Sequence, residues 1–170
     1  MSDENATPEG SIQANEMPLV IHAQYIRDLS FENPGAPESL RAGKGQPEMD
    51  INIGMDARKL EDKELQNLYE VVVNVRAEAT RTGNPMFIAE LQYGVTVQLT
   101  GVPENQHHPV LFIEIPRLAF PFVRQIVSDM TVQGGFPPLL LSPVDFHALY
   151  MERFKDELKQ QPETETAGNA

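Results

Sequence analysis

Residues 69–98 read YEVVVNVRAEATRTGNPMFIAELQYGVTVQ, and the alternation within them decides the fold. Tyr69, Val71, Val73, Val75 and Ala77 share one parity, with Glu70, Asn74, Arg76 and Glu78 on the other. Past Thr82-Gly83-Asn84-Pro85 the pattern returns. Phe87, Ala89, Leu91, Tyr93, Val95 and Val97 alternate with Met86, Ile88, Glu90, Gln92, Thr96 and Gln98. Successive side chains of a strand point to opposite faces, so each run has a dry face and a wet face. The four residues between the runs read as a hairpin turn. Two half-buried strands joined this way predict an antiparallel sheet with one solvated side.

Upstream, Met49 to Asp56 alternates in the same manner. Further back, Leu19, Ile21, Ala23, Tyr25, Leu29 and Phe31 take one parity, while His22, Gln24, Asp28, Ser30 and Glu32 mostly take the other. Downstream the period changes. Leu118, Phe122, Ile126 and Met130 recur every four residues, which predicts an amphipathic helix from about Arg117 to Gln133. Gly134-Gly135 ends it, and Pro116 and Pro121 predict a break or kink near its start. A second helix opens at Ser142-Pro143-Val144-Asp145, with Ser142 as cap, Pro143 at the first helical position and Asp145 favouring the positive end. Phe146, Leu149, Tyr150, Phe154 and Leu158 form its apolar stripe. Strands first and helices second predict an α+β fold: a four-stranded antiparallel sheet with two main helices on one face.

The chain reads as one domain over residues 18–158. Residues 1–17 and 159–170 are polar and lack periodic apolar positions, so both are expected to be disordered tails. There are no cysteines, which removes disulfides and thiolate chemistry. Asp and Glu number 25 against 13 Lys and Arg, a net charge of −12 that repels nucleic acid and anionic membranes. No signal peptide and no apolar run of roughly 20 residues is visible, so a cytoplasmic protein is expected. Outside a secretory context, the sequon Asn5-Ala6-Thr7 and the internal Lys155-Asp156-Glu157-Leu158 carry no meaning.

Catalytic and metal chemistry find little support. His107 and His108 are adjacent, so their side chains diverge, and no carboxylate stands at a zinc-helix spacing. Ser142 or Ser128 with Asp145 and His147 lacks a strained nucleophile turn. Gly43-Lys44-Gly45 is too short for a phosphate loop. Neither cofactor nor metal is expected. The wet sheet face is more informative. Asp28, Glu32, Asp50, Asp56, Glu70, Glu78 and Glu90 all fall on it by parity, which reads plainly as a solvated face. Met86 and Ile88 beside Glu90 turn that reading toward a docking surface for a basic, partly apolar partner.

Several motifs in one order resemble the SecB protein-export chaperones. They are Asp28-Leu29-Ser30-Phe31-Glu32-Asn33-Pro34-Gly35-Ala36-Pro37, then Gln46-Pro47-Glu48 and Tyr69-Glu70-Val71-Val72. The longest is Phe120-Pro121-Phe122-Val123-Arg124 with Ile126, Met130 and Gly135-Phe136-Pro137. It runs on through Leu139, Leu141, Pro143-Val144-Asp145-Phe146, Leu149 and Tyr150. The likeness spans about residues 19–158, with Glu104 to Pro116 departing from the pattern.

The resemblance implies a homotetramer, a dimer of dimers with long helices at its centre. It implies no enzymatic activity. It implies two kinds of partner, unfolded precursor proteins and the export ATPase SecA. SecA-docking positions carry over to Asp28, Glu32, Ile88 and Glu90. A client groove would use Phe31, Leu40, Phe146 and Tyr150, and Ala89, Leu91 and Tyr93 would support assembly. A SecB-like chaperone serving a toxin–antitoxin pair is the alternative, and a small hydrolase a remote one.

Overall fold

The computed structural model describes residues 18–43 and 45–160. The expected tails 1–17 and 161–170, and Lys44 of the glycine loop, lie outside the described residues. Residues 159 and 160, expected in the second tail, belong to a helix.

Four strands form one antiparallel sheet: β1 (Leu19–Glu32), β2 (Glu48–Lys59), β3 (Leu68–Arg81) and β4 (Asn84–Leu99), in the order β1-β4-β3-β2. The β3–β4 hairpin turns on Thr82 (φ 49°) and Gly83 (φ 79°), between the paired Arg81 and Asn84. Two successive positive φ values give the tight turn whose twist matches the strands, which is why Gly83 stands there. The dry parity is buried from Val71 to Ala79 in β3 and from Phe87 to Leu99 in β4, with Tyr69 half-buried, much as the alternation predicts.

Strand β1 departs from simple alternation. It slips register against β4 between Ile21 and Ala23, and again between Ile26 and Asp28. Each bulge adds one residue and inverts the parity. Leu19, Ile21, Leu29 and Phe31 therefore face the helices as expected. Ala23 and Tyr25 do not: they pair with Thr96 and Gly94 on the wet side, and Ile26 comes to the helix side opposite Tyr93. A third slip, at Ala79/Thr80, leaves Met86 out of the ladder and buried at 6% exposure. Met86 is thus core, not part of the wet face.

The helical half begins with a short turn α1 (His107–Pro109), passes through one wide π turn (Val110–Glu114) and continues as α2 (Ile115–Gln133). The expected break near Pro116 and Pro121 is absent. Pro116 sits at the helix start and Pro121 is carried inside a continuous helix. The wide turn immediately upstream of Pro116 takes up the irregularity that the missing N–H would otherwise impose. At the other end Gly135 is left-handed (φ 87°), Phe136 N–H donates to Thr131 O and Gly135 N–H to Val132 O. This closes the helix with its last carbonyls satisfied. The second helix, α3, runs Phe146–Arg153, breaks at Phe154, and resumes as α4 (Lys155–Gln160). Its cap is Asp145, which accepts from Ala148 N–H at 2.9 Å, and not Ser142.

The dry face of β2–β4 packs against the π turn, α2 and α3 in one core that includes Val71, Val95, Ile115, Val123, Leu141 and Phe146. A second cluster at the hairpin end joins Met86, Phe87, Ala89, Met130 and Phe136, with Phe31 against it.

Candidate protein-binding surfaces

The wet face is built by register. Glu32 pairs with Ile88, Ile88 with Glu78 and Glu78 with Asp50, which makes one row across all four strands. The next row is Ser30, Glu90, Arg76 and Asn52, and the third Asp28, Gln92, Asn74 and Gly54. Asp28, Glu32, Ile88 and Glu90 thus stand together on two adjacent strands, within about 13 Å along β1 given ~3.3 Å per residue. Five carboxylates in these rows surround a single guanidinium. Arg76 donates to Glu78 at 2.9 Å and to Glu90 at 3.1 Å. Its hydrogen bond to Glu78 is the main cause holding its pKa above the ordinary arginine value. One cation among five anions leaves the patch acidic, with Ile88 as its half-buried apolar member.

The opposite end of this face is closed. Glu70 is buried at 4% exposure. Tyr25 donates its hydroxyl hydrogen to one Glu70 oxygen, Arg58 donates to the other, and Arg27 lies 3.6 Å away. The tyrosine hydrogen bond, with Arg58 behind it, holds the Glu70 carboxyl below the usual carboxylate range against the opposing effect of burial. Burial first, and Glu70 second, push the Tyr25 hydroxyl up. Glu70 is therefore a structural anchor, although its parity groups it with the carboxylates of the acidic rows.

The second surface is an apolar trough of about 460 Å³ between β1 and α2. Ile26, Leu29 and Phe31 form one wall, and Ile126, Met130 and Gly134 the other, with Asp129 and Gln133 as its polar members. Ile26 and Leu29 are 49% and 43% exposed. Gly134 is required here, because a Cβ would fall 2.3 Å from the Phe31 ring. Phe31 and Leu40 reach this end of the molecule, where Leu40 rests near Gly135.

The other two residues expected in a groove do not join them. Phe146 is 2% exposed and meets Phe120 edge-on at 5.5 Å, and Tyr150 is 6% exposed with its hydroxyl 3.0 Å from His108 Nδ1. Both are core. Ala89, Leu91 and Tyr93 face the helices as expected and are buried within the chain. Tyr93 stacks on Phe122 of α2 at 6.3 Å.

His107 is a buried, satisfied histidine. Nε2–H donates to Val102 O at 2.9 Å and Nδ1 accepts from the Tyr69 hydroxyl at 2.9 Å. Asp145 is occupied by its capping bond, while Ser142 and His147 are exposed. Among the described residues no group of three His, Asp or Glu is placed to hold a metal ion, and no helix is long and apolar enough to cross a membrane.

A family model described as preprotein translocase subunit SecB matches residues 12–157. The chain belongs to the SecB family. It is 45% identical over 159 residues to the protein-export protein SecB of Granulibacter bethesdensis, covering 90% of this chain and 89% of that one. It is 48% identical over 139 residues to that of Rhodospirillum centenum, with 81% and 80% covered. With that of Maricaulis maris it shares 44% over 169 residues, 99% and 96% covered. The fold is similar to a Mycobacterium tuberculosis SecB-like chaperone solved with an antitoxin peptide, with a TM-score of 0.60 and 12% identity over 75% of this chain and 91% of that one. As a SecB protein this chain is a protein-export chaperone, and SecB is not an enzyme family.

Proposed function

We propose that this SecB protein works in the cytoplasm as a homotetrameric holdase, with separate surfaces for its clients and for SecA. The observation that carries the reading is the placement of the two surfaces. An apolar trough opens between β1 and α2, while the acidic rows lie on the face of the sheet turned away from the helices. Unfolded precursors expose apolar segments that a folded protein hides, so a half-open apolar trough selects for them without chemistry. Binding the unfolded chain delays its folding by mass action. Several troughs on one oligomer add avidity, so each can stay weak enough to release.

Asp28, Glu32, Ile88 and Glu90 would dock SecA, offering carboxylates around one apolar residue to a basic partner. Ala89, Leu91 and Tyr93 would act on assembly indirectly, by seating α2. Light scattering with an unfolded precursor tests the whole reading. A mass of four subunits that rises when precursor is added supports it, and a monomer that takes up nothing ends it. Glu90→Lys separates the surfaces. SecA affinity is expected to fall about tenfold or more, since like-charge contacts at an interface cost that much. Precursor holding stays near wild type. SecA binding should also weaken with salt, because exposed charges are screened over about 8 Å at physiological ionic strength. Equal loss of both activities in Glu90→Lys would merge the two sites and overturn the scheme.

A further inference from the structure

Among the described residues Arg81 and Arg124 are the arginines without a paired carboxylate, and Arg81 is the one of the two that is not exposed. It sits at the end of β3, beneath the loop that joins β1 to β2. Its Nη1 donates to Arg41 O at 3.1 Å, and among the described residues no acidic side chain pairs with it. Its Nε is buried and has no hydrogen-bond partner. Buried polar groups are almost always satisfied, and a guanidinium taken partly out of water without an anion costs stability.

The surroundings give this guanidinium a defined setting. A crevice of about 530 Å³ opens beside Arg81, lined on one side by Pro34, Ser39 and Arg41 and on the other by Asn84, Pro85 and Met86. Its one carboxylate, Glu38, is already paired with Arg41 at 3.1 Å. Gly43 lies against the guanidinium so closely that a Cβ would fall 2.7 Å from Nη1. In a chain of net charge −12, this corner collects two arginines and no free acid.

We propose that the Arg81 crevice is a carboxylate site, which receives an acidic side chain of a bound peptide. A guanidinium fork matches a carboxylate in plane and charge, and such charge-assisted pairs are the strong hydrogen bonds of proteins. Asn84 at the rim supplies an amide donor, while Pro34, Pro85 and Met86 give apolar walls for the residues flanking the acid. That the occupant is a peptide rests on the client reading above, and the site complements the trough: one takes apolar side chains, the other an acidic one between them.

The test uses the full-length protein with arginine Nε–H groups observed by NMR. Two probes are the blocked peptides acetyl-Ala-Pro-Glu-Ala-amide and its Gln counterpart, and a third is acetyl-Ala-Pro-Ala with a free C-terminal carboxylate. The Glu peptide is expected to shift the Arg81 Nε–H signal saturably, the Gln peptide at least tenfold less. Arg81→Gln should weaken Glu-peptide binding at least tenfold with the circular dichroism spectrum unchanged. Gly43→Ala, which crowds the guanidinium from the loop, should weaken it too. A stronger response to the free C-terminus than to the Glu peptide would overturn the side-chain assignment. Equal responses to Glu and Gln, or undiminished Glu-peptide binding in Arg81→Gln, would overturn the site itself. Light scattering keeps the outcomes apart: precursor captured with Arg81 silent removes only this site, and Arg81 responding with no precursor captured removes only the client reading.

Discussion

Glu70 shows how one residue can be read correctly by position and wrongly by role. Its parity places it on the wet face with six other carboxylates, yet it is the one sealed by Tyr25, Arg58 and Arg27. Tyr25 can reach it because Gly94 lies beneath the ring, where a Cβ would fall 2.6 Å from ring carbons. The carboxyl is held below its ordinary range, with the Tyr25 bond as the largest cause. A depressed folded-state value means the clamp stabilises the fold above the unfolded pKa, about 4.3 for a glutamate, and loses that contribution as pH falls through the lower folded value. Tyr25→Phe keeps the ring over Gly94 and removes the donor. It should cost about 1–2 kcal/mol at neutral pH, the usual effect of leaving a buried acceptor short of a partner. Urea denaturation across pH is the measurement. The gap between wild type and variant should narrow below pH ~4 as Glu70 takes up a proton, and a gap constant to the lowest pH would detach Glu70 ionisation from the clamp.

At the scale of elements, regular periodicity was legible and irregularity was not. The hairpin β3–β4, the helix α2 and its stop at Gly134-Gly135 follow from spacing and from residues with one conformational use. Strand β1 was legible only at its ends. Two bulges invert the parity and then restore it, so Leu19, Ile21, Leu29 and Phe31 come out right while Ala23, Tyr25 and Ile26 change sides. A bulge is a feature of the ladder with β4, which a local pattern does not record. Ile26, one of the exposed walls of the trough, lies on the wet parity of an unbulged strand, so local alternation does not show it on the helix side. Phe146 and Tyr150, which the resemblance implies for a client groove, are core. The start of α3 poses a similar choice between two plausible caps. Asp145 receives Ala148 N–H, so Asp145→Ala should cost about 1 kcal/mol and speed hydrogen exchange at the Ala148 amide. Ser142→Ala, at an exposed position outside the helix, should stay within ~0.5 kcal/mol. The reverse ranking would return the cap to Ser142.

The whole molecule leaves apolar surface that a lone subunit does not use. Helix α2 is apolar on two sides. Ala119, Val123 and Val127 enter the core, while Leu118, Phe122 and Val132 are 48%, 47% and 51% exposed on the far side. Beside them the edge strand β1 shows Ile26 and Leu29. An open edge with an apolar flank is a template for association, and exposed apolar side chains gathered on one face, with Gln125 and Asp129 among them, suit an interface. This is the physical content of the proposed tetramer with long helices at its centre, which the sequence pattern alone treated as an ordinary amphipathic stripe. Phe122 stacks on Tyr93 within the subunit, so changing it would confound assembly with folding. Leu118 and Val132 allow a cleaner test. The double variant Leu118→Glu/Val132→Glu places two charges on the exposed stripe and leaves the buried one intact. Light scattering should show a mass below four subunits, with the circular dichroism spectrum and the single-subunit fold retained. Avidity would fall with it, so precursor holding should drop by more than a single trough accounts for, about a hundredfold at the lower end of multivalent gain. A double variant that stays tetrameric would move the interface off α2, and the exposed stripe would then have to be explained as part of the client surface.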